Sequence, residues 1–154
     1  MRSGRRVGHQ VPPKDKARQV NVYLSEGRSA ADKGFYEVAA AAYQKVIDLE
    51  SSSTEGHFLM GLVCENLNNW DRAIDEYRKS VALDNACVLG HLHLGRAYAL
   101  VKQKEDALRE YENALEKLRQ LPNESKVQFS GGFSAGVLIE ICQLAIEKLR
   151  ADPA

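Results

Sequence analysis

Residues 54–85 read TEGHFLMGLVCENLNNWDRAIDEYRKSVALDN, and this stretch decides the fold. On both sides of Asn68 and Asn69, apolar residues recur every three or four positions, which predicts two amphipathic helices joined by a tight turn. The pattern repeats, because a shift of 34 residues superimposes Gly27, Gly61 and Gly95. The same shift superimposes three alanines and three tyrosines, namely Ala39, Ala73, Ala107, Tyr43, Tyr77 and Tyr111. A fixed internal period of this length predicts a stack of helix pairs.

Small and aromatic residues at these offsets of a 34-residue period are typical of tetratricopeptide repeats, a family that the chain resembles. We therefore predict an all-α fold, a right-handed solenoid of three helix-turn-helix repeats plus a C-terminal capping helix. The repeats are expected at about residues 20–53, 54–87 and 88–121, and the capping helix at about residues 134–150. Together they form a repeat domain over residues 17–150. Each repeat packs only on its neighbours, so the last helix is expected to cover the apolar end of the stack. A free helix that seeks a partner is the alternative.

Residues 1–16 lie ahead of the periodic pattern and contain two glycines and two prolines. We interpret them as a disordered basic segment or linker. Residues 1–19 hold six basic side chains against Asp15 alone, although the whole chain has a formal net charge of zero. A basic tail could contact acidic lipid or nucleic acid, but a solvated linker is the simpler interpretation. We expect no nucleic-acid partner.

The three cysteines are odd in number and show no CxxC spacing, which favours free thiols in a reducing compartment. No apolar run is long enough for a membrane span, and no apolar segment follows the N-terminal arginines as in a secretory signal. We therefore expect a cytoplasmic protein.

No catalytic chemistry is expected within these residues. His91 and His93 cannot share one helix face, while His57 occupies the same repeat position as His91, which suggests a packing role for both. The sequence contains no acid–histidine–cysteine arrangement, no phosphate-binding loop and no metal-ligand spacing. We predict that the chain is not an enzyme and needs no cofactor or metal.

The recurring glycines, alanines and tyrosines are interpreted as scaffold, so function is expected on the surface that stacking leaves free. The resemblance implies that the first helix of each repeat lines a concave groove. By repeat register, the candidate groove residues are Leu24, Arg28, Glu55, Phe58, Leu62, Glu65, Leu89, Leu92 and Arg96. We expect an exposed apolar stripe with Arg28 and Arg96 as isolated cations, suited to an amphipathic helix or an extended peptide with large apolar side chains. Alternatively, the final helix folds back and covers part of the stripe.

A narrower resemblance involves GHFLMGLV (56–63), VLGHLHLGRAY (88–98) and FSGGFSAGVLIEICQ (129–143). Together they resemble the C-terminal tetratricopeptide extension of some CheR-type chemotaxis methyltransferases, with Phe133 in place of a leucine. The resemblance implies a regulatory or docking domain. Methyl transfer from S-adenosylmethionine to receptor glutamates would belong to a separate upstream domain. The implied partners are a chemoreceptor, a response regulator or the methyltransferase domain itself.

Three other interpretations were weighed. A free-standing three-repeat chaperone or scaffold would hold apolar segments of secretion substrates. A dicarboxylate-clamp co-chaperone is rejected, because the positions of its lysines and asparagines hold Leu24, Arg28, Leu62, Leu89 and His93. Finally, the chain could be part of an enzyme whose chemistry lies outside these residues.

Overall fold

The computed structural model describes residues 12–153, and within that range it is built from helices without a β-strand. The helices in chain order are α1 (Pro13–Asp32), α2 (Tyr36–Leu49), α3 (Thr54–Asn66), α4 (Trp70–Leu83), α5 (Val88–Leu100), α6 (Lys104–Arg119) and α7 (Ala135–Ala151). Each helix packs against the next one along the chain, and the contacts are densest within the pairs α1–α2, α3–α4 and α5–α6. The all-α solenoid of three helix pairs followed by a capping helix is confirmed.

The two ends of the domain differ from the prediction to different degrees. Helix α1 begins at Pro13 rather than near Ala17, because proline in the first turn lacks an N–H that would have no helical partner there. Residues 1–11, which include most of the predicted disordered segment, lie outside the described part of the chain. At the other end, the Ser134 hydroxyl accepts a hydrogen bond from the backbone N–H of Val137 at 3.5 Å and caps α7.

The turn inside each repeat uses one backbone geometry. Gly34, Asn68 and Lys102 have φ of 78°, 56° and 66°, and each is 34 residues from the next. Glycine and asparagine adopt this left-handed conformation readily, whereas a lysine adopts it at a cost. The predicted turns are therefore present, and the third one carries backbone strain.

The recurring glycine makes room for the recurring tyrosine of its own repeat. A methyl group on Gly61 would lie 2.5 Å from Cε1 of Tyr77, and one on Gly95 would lie 3.1 Å from Cδ2 of Tyr111. Tyr77 also reaches the next repeat, where its ring centroid lies 5.5 Å from that of His93. The tyrosines thus pack within a repeat as well as between repeats.

A second pair of glycines brings successive repeats together. A methyl group on Gly56 would lie 3.0 Å from Val46, and one on Gly90 would lie 2.8 Å from Val81. Each contact joins the first helix of one repeat to the second helix of the preceding repeat. Their equivalent positions show that α2–α3 and α4–α5 use the same close approach.

Two buried histidine–glutamate pairs also repeat with the period. His57 Nδ1 lies 2.6 Å from Oε2 of Glu76, and His91 Nδ1 lies 2.7 Å from Oε2 of Glu110. The Nε2 atoms face backbone carbonyl oxygens at 2.9 and 3.1 Å, so each ring satisfies both acceptors when it donates from both nitrogens. The structure places both histidines in the core and identifies their acidic partners, which sequence analysis overlooked.

Candidate binding groove

The first helices of the repeats, α1, α3 and α5, carry all nine candidate residues; we call the surface formed by these residues the groove face. Its larger apolar members are not exposed. Leu24, Phe58, Leu89 and Leu92 retain 7, 1, 5 and 8% of their accessible surface, and Leu62 is partly buried. The prediction of an exposed apolar stripe is therefore wrong for these four side chains.

A loop between α6 and α7, residues 122–134, covers part of the groove face, and we call it the covering loop. Phe129 from this loop stacks on Phe58, with ring centroids 5.1 Å apart and ring planes inclined by 19°. His93 from α5 meets the same ring edge-on at 5.6 Å. Val127, also from the loop, packs against the buried apolar cluster. We considered that the final helix might cover the stripe, but the documented contact on Phe58 comes from the loop before it.

The two groove arginines are paired rather than isolated, which corrects the prediction. Arg28 on α1 donates to Glu55 on α3, and both side chains are partly exposed. Glu65 on α3 lies 3.9 Å from Arg96 Nη1 and 3.4 Å from His93 Nδ1, both on α5. The ion pairs therefore connect successive first helices across the groove face. Because solvent screens partly exposed pairs, each contributes no more than about 1 kcal/mol to stability.

The charge arrangement limits which ligands the groove face suits. Each arginine has a carboxylate partner, so a ligand carboxylate would have to compete with Glu55 or Glu65. The residues at the positions of a dicarboxylate clamp include Leu24 and Leu89, which are buried and carry no charge. The groove face thus favours apolar over acidic ligand groups.

An open cleft continues the groove face beyond α5. It lies between α5 and α7 and is lined by Arg96, Tyr111, Ala145 and Leu149 among others. The Arg96 side chain keeps 57% of its surface exposed at this edge. The third repeat therefore offers an accessible apolar and cationic margin beside the covered centre.

Burial sets the protonation behaviour of the groups behind the groove face. It raises the pKa of Tyr111 to about 12 and also raises the pKa of Tyr77. Burial likewise raises the pKa of the Cys142 thiol to about 11, and all three cysteines are free and buried. At neutral pH these groups are uncharged and act as packing elements.

Two searches of the described residues gave negative results. Within residues 12–153, no group of three or more histidine, cysteine, aspartate or glutamate side chains is placed to hold a metal ion. Over the same range, none of the helices combines the length and apolar character that crossing a bilayer requires.

Comparison with known proteins supports the fold. Residues 24–86 match the family model for the tetratricopeptide repeat. The PcrH structure, solved with the chaperone-binding region of PopD, is 13% identical, with a TM-score of 0.76 over 93% of this chain and 97% of that one. The TPR2B domain of yeast Sti1, solved in a pHsp70 complex, is 18% identical, with a TM-score of 0.73 over 86 and 96%.

Other comparisons add no specific function. A Thermobaculum terrenum O-GlcNAc transferase mutant is 25% identical, with a TM-score of 0.63, over 66% of this chain and 20% of that one. No curated protein sequence matches this chain. None of the three structures named here is a chemotaxis methyltransferase, so that resemblance stays a prediction. The matches identify the fold as a tetratricopeptide-repeat solenoid.

Proposed function

We propose that this tetratricopeptide-repeat chain is a protein-interaction module that binds a partner peptide or helix on its groove face. The observation that carries the proposal is the stacking of Phe129 on Phe58, with His93 at the edge of the same ring. Here the groove face already holds an aromatic side chain that a non-helical segment presents. A partner segment with a similar side chain would meet the same apolar surface.

The surrounding residues support an apolar ligand rather than an acidic one. Leu24, Leu89 and Leu92 extend the apolar surface on either side of Phe58, and the groove arginines are already paired with glutamates. Affinity would then come mainly from burial of one or two large side chains, each worth about 1.5–3 kcal/mol when fully buried. The ion pairs at the margin would orient the ligand more than hold it.

A free-standing chaperone or scaffold is the first of two biological settings that we propose. PcrH, solved with the chaperone-binding region of PopD, has a similar fold over 93% of this chain. A chain of this size could likewise shield an apolar segment of a client protein. The three free, buried thiols are compatible with a reducing compartment such as the cytoplasm.

The second setting is a regulatory or docking domain of a chemotaxis-type receptor methyltransferase. It rests on the likeness of Ser130–Gly136 to a segment of that family. In the structure this segment joins the covering loop to the start of α7, and Phe133 within it keeps 55% of its surface exposed. The partner would be a chemoreceptor, a response regulator or the methyltransferase domain itself.

The binding proposal is tested with peptides selected from a random display library on the purified chain. Leu62→Gln alters a partly buried position on α3, and Leu83→Gln is the matched control at the end of α4, outside the first helices. We expect the groove variant to weaken binding at least tenfold, as loss of about 1.4 kcal/mol predicts, and the control to leave it unchanged. Circular dichroism verifies that both variants remain helical.

The location of binding is measured independently by NMR. Amide signals that shift on peptide addition should map to α3 and α5. Equal binding by the two leucine variants, or shifts confined to α2, α4 and α6, would overturn the groove assignment.

A further inference from the structure

The covering loop is a preformed unit with its own hydrogen bonds. The N–H of Val127 donates to the carbonyl of Phe133 at 3.2 Å, and the Ser130 hydroxyl donates to the same carbonyl at 3.0 Å. Lys126 Nζ donates to the carbonyl of Gly132 at 2.7 Å. At the base of the loop, the N–H of Ala135 donates to the carbonyl of Ser125 at 2.8 Å. All these bonds join residues of the loop to one another or to the start of α7.

The loop is attached to the groove face by apolar contacts. Among the described hydrogen bonds and ion pairs, none joins residues 122–134 to α1, α3 or α5. The documented contact is the stacking of Phe129 on Phe58. If the loop moved away as a unit, its internal hydrogen bonds would stay intact, and only the apolar contacts would be lost.

The backbone at the contact is strained. Phe129 has φ of 65°, a left-handed value that a bulky side chain rarely adopts, while Gly131 and Gly132 tolerate φ of 67° and 98° without cost. Strain of this kind persists only where surrounding contacts enforce it. Stacking on Phe58 is the contact on the page that can do so, and releasing Phe129 would relieve the strain.

We infer that the covering loop is a resident occupant of the groove, and that a partner binds by displacing Phe129 and placing its own aromatic side chain on Phe58 and His93. The inference rests on the proposed function and adds its regulation and the ligand chemistry. The loop competes with the partner, so the apparent affinity equals the intrinsic affinity multiplied by the open fraction. If the loop is open between about 1 and 10% of the time, removing the competition strengthens binding roughly 10- to 100-fold.

The test uses the loop itself as the probe, as a fluorescent peptide of residues 125–134, SKVQFSGGFS. In the full chain, Phe129→Gly removes the ring and suits the positive φ, so the loop backbone keeps its shape. We expect the peptide to bind this variant at least tenfold more tightly than the unaltered chain. Phe133→Ala is the control, because Phe133 lies in the same loop but is 55% exposed.

A second measurement applies to the unaltered chain and does not depend on a variant that folds. On addition of a peptide selected by display, the NMR signals of the Phe129 ring should move toward those of an exposed phenylalanine. Unchanged ring signals with the peptide bound would overturn the inference. Equal binding of the loop peptide by Phe129→Gly and Phe133→Ala would also overturn it.

The two proposals fail in different ways. Peptides from the library that bind the groove equally well with and without Phe129 would support the proposed function and refute displacement. Tight binding of the loop peptide to Phe129→Gly, with no library peptide competing for the site, would support a resident occupant and refute a foreign partner.

Discussion

The substitution Gly61→Ala tests the close packing that holds each helix pair together. The new methyl group would lie 2.5 Å from Cε1 and 2.7 Å from Cδ1 of Tyr77. Carbon atoms normally approach no closer than about 3.5 Å, so the overlap is roughly 1 Å. Tyr77 has no exposed surface, and the rings of Phe58 and His93, with centroids 5.9 and 5.5 Å away, restrict its retreat.

The magnitude follows from two opposing contributions. Overpacking a buried site costs about 1–3 kcal/mol, and the fixed tyrosine ring places Gly61→Ala at the upper end. Alanine is favoured over glycine inside a helix by about 1 kcal/mol. The net expectation is a loss of about 2 kcal/mol in the free energy of unfolding, or a fall of about 4–8 °C in Tm. At Gly95 the methyl group would lie 3.1 Å from Tyr111, so the two contributions nearly cancel.

Urea unfolding followed by far-ultraviolet circular dichroism measures both variants. Gly95→Ala is the matched control, because it makes the same chemical change at the equivalent position of the next repeat. If Gly61→Ala were as stable as the unaltered chain or as Gly95→Ala, the steric argument would be refuted.

Other perturbations test single features of the fold. Lys102→Gly should raise the free energy of unfolding by up to about 1 kcal/mol, because glycine adopts the positive φ of this turn without strain; a lower urea midpoint would contradict this. His91→Ala should lower it by about 3 kcal/mol, since Glu110 loses its buried partner, and a double-mutant cycle with Glu110→Ala should show coupling well above zero. Burial raises the pKa of Tyr111 to about 12 from an ordinary value near 10, so the folded state holds this proton more tightly than the unfolded state. Stability should therefore be unaffected by this residue below pH 10 and fall as pH rises toward 12, and Tyr111→Phe should flatten the fall in Tm over that range.

Sequence alone predicted the scaffold because the close-packed positions recur with the period. Gly61 and Tyr77 meet in the structure as their counterparts do in the other repeats, so three copies of one pattern confirmed each other before any coordinates were known. Glu76 and Glu110 were overlooked because each glutamate, taken singly, resembles a solvent-facing helix residue. Their separation of 34 residues, matching that of the two histidines, was the signal that could have identified them.

The groove could not be predicted to the same degree. Repeat register places a residue on the groove face, but it gives no information about what lies on top of it. Phe129 belongs to an aperiodic loop, and its contact with Phe58 joins residues that are far apart in sequence. Likewise, the ion pair of Glu65 with Arg96 depends on how two first helices lie side by side, which the pattern within one helix does not determine.

The buried histidine–glutamate pairs distinguish the repeats from one another. The second and third repeats each have one, together with Gly56 or Gly90 at the close approach, whereas the first repeat has Tyr23, Val22 and Ala42 at these positions. The later two repeats are thus a matched tandem unit, and the first is a divergent start. A chain lengthened by duplicating residues 54–87 in place would present the same surfaces at each new joint, so this protein is suited to growth in the middle of its array rather than at its ends.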